Sequence, residues 1–198
     1  QGIQVMGIKQ LMCAILTGAL VTSAVANVSF SDVSITGPLA GTFTTNIGAC
    51  DIDFVSTAIV GDSQAMRSGE ASITYVAQAN AGLMSDQLSL NTLGALSGSG
   101  TLTILEQIFD LTQVGEPMIG SFMTTLTMNS QLPLNQTIMF DTPSERIRVV
   151  KRVGLNAVED TAALDLASVA LIEQTLNTVP EPTSLLLLGV GAMMIRRR

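Results

Sequence analysis

Two aspartates separated by one residue, Asp51 and Asp53, are the first side chains whose type and spacing could carry out chemistry. In a β-strand, residues two apart point to the same face, so the two carboxylates would lie side by side. Such a pair can supply part of the oxygen shell of Ca²⁺ or the two acids of a glycosidase. However, the sequence has no DxDxDG loop to complete a calcium site, and no Trp or Tyr stands beside the pair to form a sugar cleft. We interpret both residues as solvated surface acids and predict no metal and no cofactor.

Nucleophilic catalysis lacks its usual components in this sequence. The 198 residues include no His, which is the commonest general base near neutral pH and the commonest metal ligand. A GxSxG nucleophile motif is also absent. Of the two cysteines, Cys13 lies in an apolar N-terminal run, and Cys50 has neither a His to activate it nor a second Cys beside it. We interpret Cys50 as a small buried residue and predict that the protein is not an enzyme.

The chain has one basic cluster in an otherwise acidic middle. All 16 acidic residues lie between Asp32 and Glu181, and this span holds only five of the nine basic residues, which gives it a net charge of −11. Such a surface repels nucleic acid, so we predict no nucleic-acid partner. The cluster, ERIRVVKR (145–152), contains Arg146, Arg148, Lys151 and Arg152. We interpret it as an exposed strand edge that its charges protect from aggregation; contact with an anionic exopolysaccharide is the alternative.

The elements that position these residues are predicted to be strands. Between residues 27 and 179, stretches with period-two alternation and β-branched residues are separated by turn residues. These stretches cover 28–35, 41–45, 51–60, 71–79, 86–93, 100–109, 121–128, 136–140 and 145–155. The fold class predicted is mainly β, an antiparallel β-sandwich. The segment GALSGSGTLT (94–103) is predicted to be a hairpin connection. The segment 160–177 leaves helix and strand open, since its Ala and Leu content favours a helix.

The N-terminal 26 residues have the three parts of a secretory signal peptide. We expect translation to start at Met6. Lys9 precedes an apolar run from Leu11 to Val21, which is too short to span a bilayer. Small residues, Ala24 and Ala26, then occupy the two positions that a signal peptidase reads. Cleavage is predicted after Ala26, with signal peptidase as a partner.

The C-terminal residues 180–198 form a second distinctive segment. Pro180, Glu181 and Pro182 end the preceding element because proline lacks a backbone N–H. The uncharged stretch 183–195 would form a single apolar helix about 20 Å long, a marginal length against a bilayer core of about 30 Å. The basic residues Arg196, Arg197 and Arg198 would hold its end in the cytoplasm. The predicted membrane segment consists of Leu185, Leu186, Leu187, Leu188, Gly189, Val190, Gly191, Ala192, Met193, Met194 and Ile195.

This order of a PEP tripeptide, an apolar run and terminal arginines resembles the PEP-CTERM sorting signal of exopolysaccharide-producing Gram-negative bacteria. The resemblance covers about the last twenty residues of the chain. Since proteins with such tails often have a final strand that runs straight into the PEP motif, it also favours a strand over 167–176. It implies that exosortase, a membrane protease with a cysteine nucleophile, recognises Pro180, Glu181 and Pro182 and removes the tail during export. It implies nothing about the activity of the passenger, since such tails are attached to many unrelated domains.

Together these observations divide the chain into a signal peptide (1–26), a β-sandwich passenger (27–179) and a sorting signal (180–198). We predict an exported protein that inserts transiently in the inner membrane and then reaches the cell surface or biofilm matrix, with a structural or adhesive role. Exosortase and signal peptidase are the expected partners, and exopolysaccharide is a further candidate. An extracellular carbohydrate-binding module and, less favoured, a secreted hydrolase are the alternatives.

Overall fold

The computed structural model describes residues 27–90, 95–158 and 164–180. The predicted signal peptide, Glu181, Pro182 and the apolar run with its arginines lie outside these residues. Within the described ranges no helix is long and apolar enough to cross a membrane. The strands of this part are β1 (Ser29–Thr36), β2 (Phe43–Ile47), β3 (Asp51–Ser56), β4 (Ile59–Gly61), β5 (Ser68–Leu90), β6 (Leu96–Ser97), β7 (Thr101–Asp110), β8 (Met118–Leu126), β9 (Leu134–Asn156), β10 (Leu166–Ser168) and β11 (Leu171–Thr178).

The described strands pair in an antiparallel manner in two sheets. The larger sheet has the order β2-β3-β11-β5-β9-β7-β8, and β1 pairs with β5 beside this path. The smaller sheet has the order β4-β10-β6. Two short 3-10 turns, Ala40–Thr42 and Asn129–Gln131, complete the elements of these residues. The prediction of a mainly β, antiparallel fold is confirmed.

The larger sheet is organised by β5 and β9, which are 23 residues long each. They pair twice, residues 68–78 of β5 with 146–156 of β9, and residues 83–90 of β5 with 134–144 of β9. The register shifts between the two stretches. Gly82 adopts a φ of 79° there, and Pro143 has no N–H to donate to the ladder. Both residues therefore interrupt the pairing without ending the strand, and this is why the sequence predicted two strands where each long strand is one.

The register shift divides the larger sheet into two halves. Half-sheet 1 contains β2, β3, β11, residues 83–90 of β5 and residues 134–139 of β9. Half-sheet 2 contains β1, residues 68–78 of β5, residues 146–156 of β9, β7 and β8. Phe54 of half-sheet 1 and Tyr75 of half-sheet 2 have ring centroids 6.0 Å apart. Apolar side chains from both halves form one core cluster.

The segment before the C-terminal tail forms two strands in the residues that the structure describes. Residues 166–168 form β10 and residues 171–178 form β11, so the strand interpretation of this region is confirmed and the helical one is wrong for 164–178. The two strands belong to different sheets, and the chain passes between them at Val169 and Ala170. The carbonyl of Ala170 there accepts a hydrogen bond from the backbone N–H of Ser56 at 2.8 Å.

The glycine- and serine-rich stretch before β7 forms a tight turn. Its Gly98 adopts a φ of 58°, and the N–H of Gly100 donates to the carbonyl of Ser97 at 2.9 Å. The turn itself was predicted, but the hairpin was wrong, because β6 pairs with β10 and not with β7. Asp165 fixes this turn by accepting a hydrogen bond from the N–H of Ser99 at 2.7 Å.

One buried carboxylate fixes the end of β7 against the bend of β9. Asp110 accepts hydrogen bonds from the hydroxyl of Ser144 at 2.5 Å, from the N–H and hydroxyl of Thr112 at 2.8 and 2.6 Å, and from the amide of Gln113 at 2.7 Å. Burial alone would raise the pKa of Asp110, but these hydrogen bonds favour the charged form more strongly and lower the pKa below its ordinary 3.8.

We expect Asp110→Asn to lower the free energy of unfolding by about 1.5–3 kcal/mol at neutral pH, because the new amide nitrogen would face donors where an acceptor is needed. Since the folded pKa is lowered, the stabilisation by Asp110 is present above the unfolded pKa of 3.8 and is lost as pH falls through the folded pKa. The difference between variant and wild type should therefore shrink at acid pH in urea titrations. The exposed Asp141→Asn is the control, and a loss independent of pH would contradict the assignment.

Candidate functional site

Five polar side chains lie together between the two half-sheets, where the apolar core encloses them. This buried polar cluster consists of Tyr75, Asp86, Glu106, Lys151 and Gln174. Glu106 and Lys151 are each 0% exposed, and Lys151 Nζ lies 3.0 Å from Glu106 Oε2. The amide nitrogen of Gln174 donates hydrogen bonds to Asp86 Oδ2 and to Glu106 Oε1. The cluster therefore joins charged and neutral groups from both layers of the fold.

The strand register brings these residues together. Glu106 of β7 is paired directly with Lys151 of β9 in half-sheet 2. Asp86 of β5 and Gln174 of β11 come from half-sheet 1, where these two strands are neighbours. Each of the four side chains occupies an inward position of its alternating strand. Two of them thus face the other two across the core.

The environment of the cluster strongly disfavours a second negative charge. Burial and, next, the neighbouring carboxylate of Glu106 raise the pKa of Asp86 well above its ordinary 3.8, and a hydrogen bond with Glu106 adds to this effect. The positive charge of Lys151 and the hydrogen bond from Gln174 oppose the rise only in part. Burial, followed by Asp86 and Glu106, also raises the pKa of Tyr75, so its phenol remains neutral.

Several polar atoms of the cluster are not fully satisfied. Among the described residues, Tyr75 Oη, Asp86 Oδ1, Glu106 Oε2, Lys151 Nζ and Gln174 Oε1 are buried without a hydrogen bond. The contact between Lys151 and Glu106 is therefore an ion pair in which the angles of a hydrogen bond are not met. Buried polar groups without partners are rare in folded proteins and occur at strained or reactive positions.

The cluster was missed in the sequence, although a signal was present. In β9 the inward positions are Ile147, Val149, Lys151, Val153 and Leu155, so strict alternation places the lysine on the apolar face. The closeness of Lys151 to its arginine neighbours in the sequence instead suggested one basic patch. Glu106 follows the same rule in β7, between Ile104 and Ile108.

The structure corrects the interpretation of the basic cluster as an exposed strand edge. Residues 146–156 of β9 are paired with β5 on one side and with β7 on the other, so this part of β9 is a central strand. Only the three arginines share the outer face. Arg148 pairs with Glu116 at 2.6 Å and lies 5.2 Å above the ring of Phe109, while Arg152 is 3.9 Å from Glu70. Two of the three arginines therefore have acidic neighbours.

The other sequence candidates have less distinctive surroundings. Asp51 and Asp53 do share a face of β3, opposite the buried Ile52 and Phe54, as their spacing predicted. Burial and, next, the charge of Asp51 raise the pKa of Asp53. Within the described ranges no group of three or more acidic or cysteine side chains is placed to hold a metal ion. Cys50 is partly buried against the core, and its carbonyl accepts a hydrogen bond from Leu176 at 2.9 Å.

The junction with the C-terminal tail is formed by a strand in the interior of the larger sheet. β11 lies between β3 and β5 and ends at Thr178. The N–H of Val179 then donates to the carbonyl of Gly82 at 2.9 Å, and the amide of Asn177 donates to the hydroxyl of Ser85 at 3.1 Å. Pro180, the first residue of the predicted tripeptide, is exposed. The fold thus holds the start of the tail at its surface.

Comparison with known families identifies this tail. A family model described as the PEP-CTERM protein-sorting motif matches residues 178–198, beginning at the last residue of β11. The match confirms the resemblance that the sequence indicated. It supports exosortase processing, export and a surface or extracellular location, and it does not extend to the rest of the chain.

Comparisons of the whole chain give only distant likenesses. No curated protein matches it. Among solved structures, TmCBM61 in complex with beta-1,4-galactotriose has a TM-score of 0.37 at 11% identity, with 75% of this chain and 86% of that chain covered. A family 11 carbohydrate-binding module from Clostridium thermocellum has a TM-score of 0.23 at 6% identity, with 80% and 91% covered. These likenesses are too weak to carry an argument about function.

Proposed function

We propose that this chain, which carries a PEP-CTERM protein-sorting motif, is a non-enzymatic structural or adhesive passenger that exosortase delivers to the cell surface or biofilm matrix. The observation that carries the proposal is the junction between β11 and the motif. Because β11 is paired on both sides and Pro180 is exposed directly after it, the passenger can be fully folded when the recognition tripeptide is read. Sorting then requires no opening of the fold.

The distribution of aromatic side chains supports a structural role over sugar binding. The chain has six Phe, one Tyr and no Trp. None of these rings is exposed: Phe43, Phe54, Phe140 and Tyr75 are buried, and the remaining three are partly buried. Sugar-binding surfaces use exposed aromatic rings, which stack on the apolar face of a sugar ring. A carbohydrate-binding module therefore remains the alternative and is not the proposal.

One surface pocket was considered as a possible reaction site. A pocket of about 210 Å³ is lined by residues 56–59 and 168–170, where the smaller sheet meets the larger one. Its lining contains Ser, Thr and apolar residues and no ionisable side chain. General acid–base chemistry requires a titratable group within reach of the substrate, and this pocket offers none.

The proposal is tested by complementing a strain from which the gene has been deleted. We expect the full chain to restore matrix cohesion, whereas a chain ending at Val179 should appear in the medium, folded by circular dichroism, without restoring it. Restoration by the shortened chain would contradict a role that depends on surface delivery. A glycan array with the same shortened chain separates the alternatives, since tight and selective binding would favour the carbohydrate-binding module.

A further inference from the structure

Lys151 and Glu106 are placed as the two partners of a condensation reaction. They are directly paired residues of β9 and β7, both side chains are fully buried, and Nζ lies 3.0 Å from Oε2. Two strands of one sheet fix the separation of their backbones, so the amine and the carboxyl group are held in contact for the lifetime of the folded state. Such fixed proximity replaces an encounter in solution by a unimolecular step, which is a large kinetic advantage.

We propose that Lys151 and Glu106 become joined by an intramolecular isopeptide bond that forms after folding without another enzyme. The bond would connect Nζ of Lys151 to Cδ of Glu106 and link β9 covalently to β7. Both residues lie in half-sheet 2, and the side chains that assist them come from half-sheet 1. The cluster would then be a modification site that requires both layers of the fold.

The reaction balances without an oxidant or a co-reactant. A proton passes from the ammonium group of Lys151 to the carboxylate of Glu106, which leaves a neutral amine and a neutral acid. The nitrogen lone pair attacks Cδ, and the C–N bond forms. The C–Oε2 bond then breaks, and Oε2 leaves with two of the three ammonium hydrogens as one molecule of water. The product is a secondary amide that retains Oε1 as its carbonyl oxygen.

Two neighbours are placed to assist this step. Gln174 donates a hydrogen bond to Glu106 Oε1, the atom on which negative charge develops when the nitrogen attacks. The carboxylates of Asp86 and Glu106 accept hydrogen bonds from the same amide nitrogen of Gln174, and burial raises the pKa of Asp86, which favours the protonated form that could lend a proton to the departing oxygen. Both would act directly on the oxygens of Glu106, and neither becomes part of the new bond.

The burial of the pair also favours the product. A lysine and a glutamate in the core each lose hydration, and their ion pair has to offset that loss in a region of low dielectric constant. The amide removes both charges and leaves one N–H and one carbonyl, which need fewer partners. The water molecule released by the reaction is expected to leave the apolar interior. Hydrolysis of the new amide would then lack the water that it requires.

The composition of the chain allows a sharp test. Lys9 and Lys151 are its two lysines. We expect intact mass spectrometry of the purified full-length chain to find a mass lower than calculated by one water, and chymotryptic digestion to yield one linked pair containing Glu106 and Lys151. Amine-reactive labelling of the denatured chain should modify Lys9, or the new α-amino group if the signal has been removed, and should leave Lys151 unmodified.

Variants locate the bond and its assistants. Glu106→Gln should give the same amide with loss of ammonia, Lys151→Arg should give the unmodified mass, and Asp86→Asn should slow formation at least tenfold in a time course. Glu116→Gln, in an exposed ion pair, should have no effect on linkage. The proposal is overturned if the folded wild-type chain has its full calculated mass, or if the denatured chain is labelled at Lys151 as fully as at Lys9. A linkage through Asp86 or Gln174 would refute Glu106 as the acceptor.

Discussion

Replacing Pro180, Glu181 and Pro182 with alanine should leave the exported protein unprocessed in the inner membrane, with its C-terminal residues 185–198 still attached. The apolar run and the terminal arginines remain in this variant, so insertion should not change. What is lost is the recognition element that follows β11. We expect processing to fall from nearly complete to undetectable, as measured by intact mass spectrometry of membrane and surface fractions.

Two further strains make this result specific to exosortase. In an exosortase-deficient host, the wild-type protein should accumulate in the same form as the alanine variant. Removal of Arg196, Arg197 and Arg198 should instead weaken the retention of the C-terminal end in the cytoplasm. An apolar helix of about 20 Å is too short to hold its own end there by hydrophobic burial alone. If residues 185–198 are still attached to surface-extracted wild-type protein in a normal host, the segment is a permanent anchor and the processing model is wrong.

Glu106→Ala should be among the most destabilising single substitutions in the passenger. It leaves the fully buried Lys151 without its counter-charge, and breaking a buried pair in this way costs about 3–5 kcal/mol. If an isopeptide bond joins the two residues, its removal would lower the free energy of unfolding further. The range given is therefore a lower limit. The measurement is the free energy of unfolding from urea titrations monitored by circular dichroism.

The matched control for this substitution is Glu116→Ala. Glu116 also forms an ion pair, with Arg148 at 2.6 Å, but the side chains of both residues are substantially exposed. Exposed pairs contribute about 0.2–1 kcal/mol, so this variant should unfold close to the wild type. Equal losses in the two variants would show that Lys151 is not held in a water-free site.

The sequence was sufficient for the elements whose signals are local. Alternation of apolar and polar residues located most of the strands, and the PEP tripeptide with its flanks identified the sorting motif. Both features depend on residues that are neighbours in the chain, so the pattern and the structure coincide. The strand that leads into the motif was predicted from the resemblance of the tail, since the residues of 160–177 alone left helix and strand open.

The features that the sequence did not show are those that depend on which strands pair with each other. Gly82 and Pro143 looked like the ends of strands, because the same residue types either terminate a strand or let it bend, and only the partner strand decides between these outcomes. The central position of residues 146–156 of β9 likewise follows from pairing with β5 and β7, which are remote in sequence. Lys151 was assigned to the surface with its arginine neighbours, and Glu106 was not singled out at all, because charged residues are rarely buried, although the alternation of both strands already placed these residues on the inward face.

The position of β11 determines how the passenger would respond to mechanical load. If the protein is held at the cell surface by its C-terminal end, tension enters the fold at Thr178 and runs along the axis of β11. This strand is hydrogen-bonded on one side to β3 and on the other to β5, in both cases antiparallel. A pull along its length therefore shears both ladders at once, so that their hydrogen bonds resist together, whereas a strand at the edge of a sheet can be peeled away one bond at a time. A tether attached at this strand would transmit the drag of flowing water to the strongest direction of the sheet.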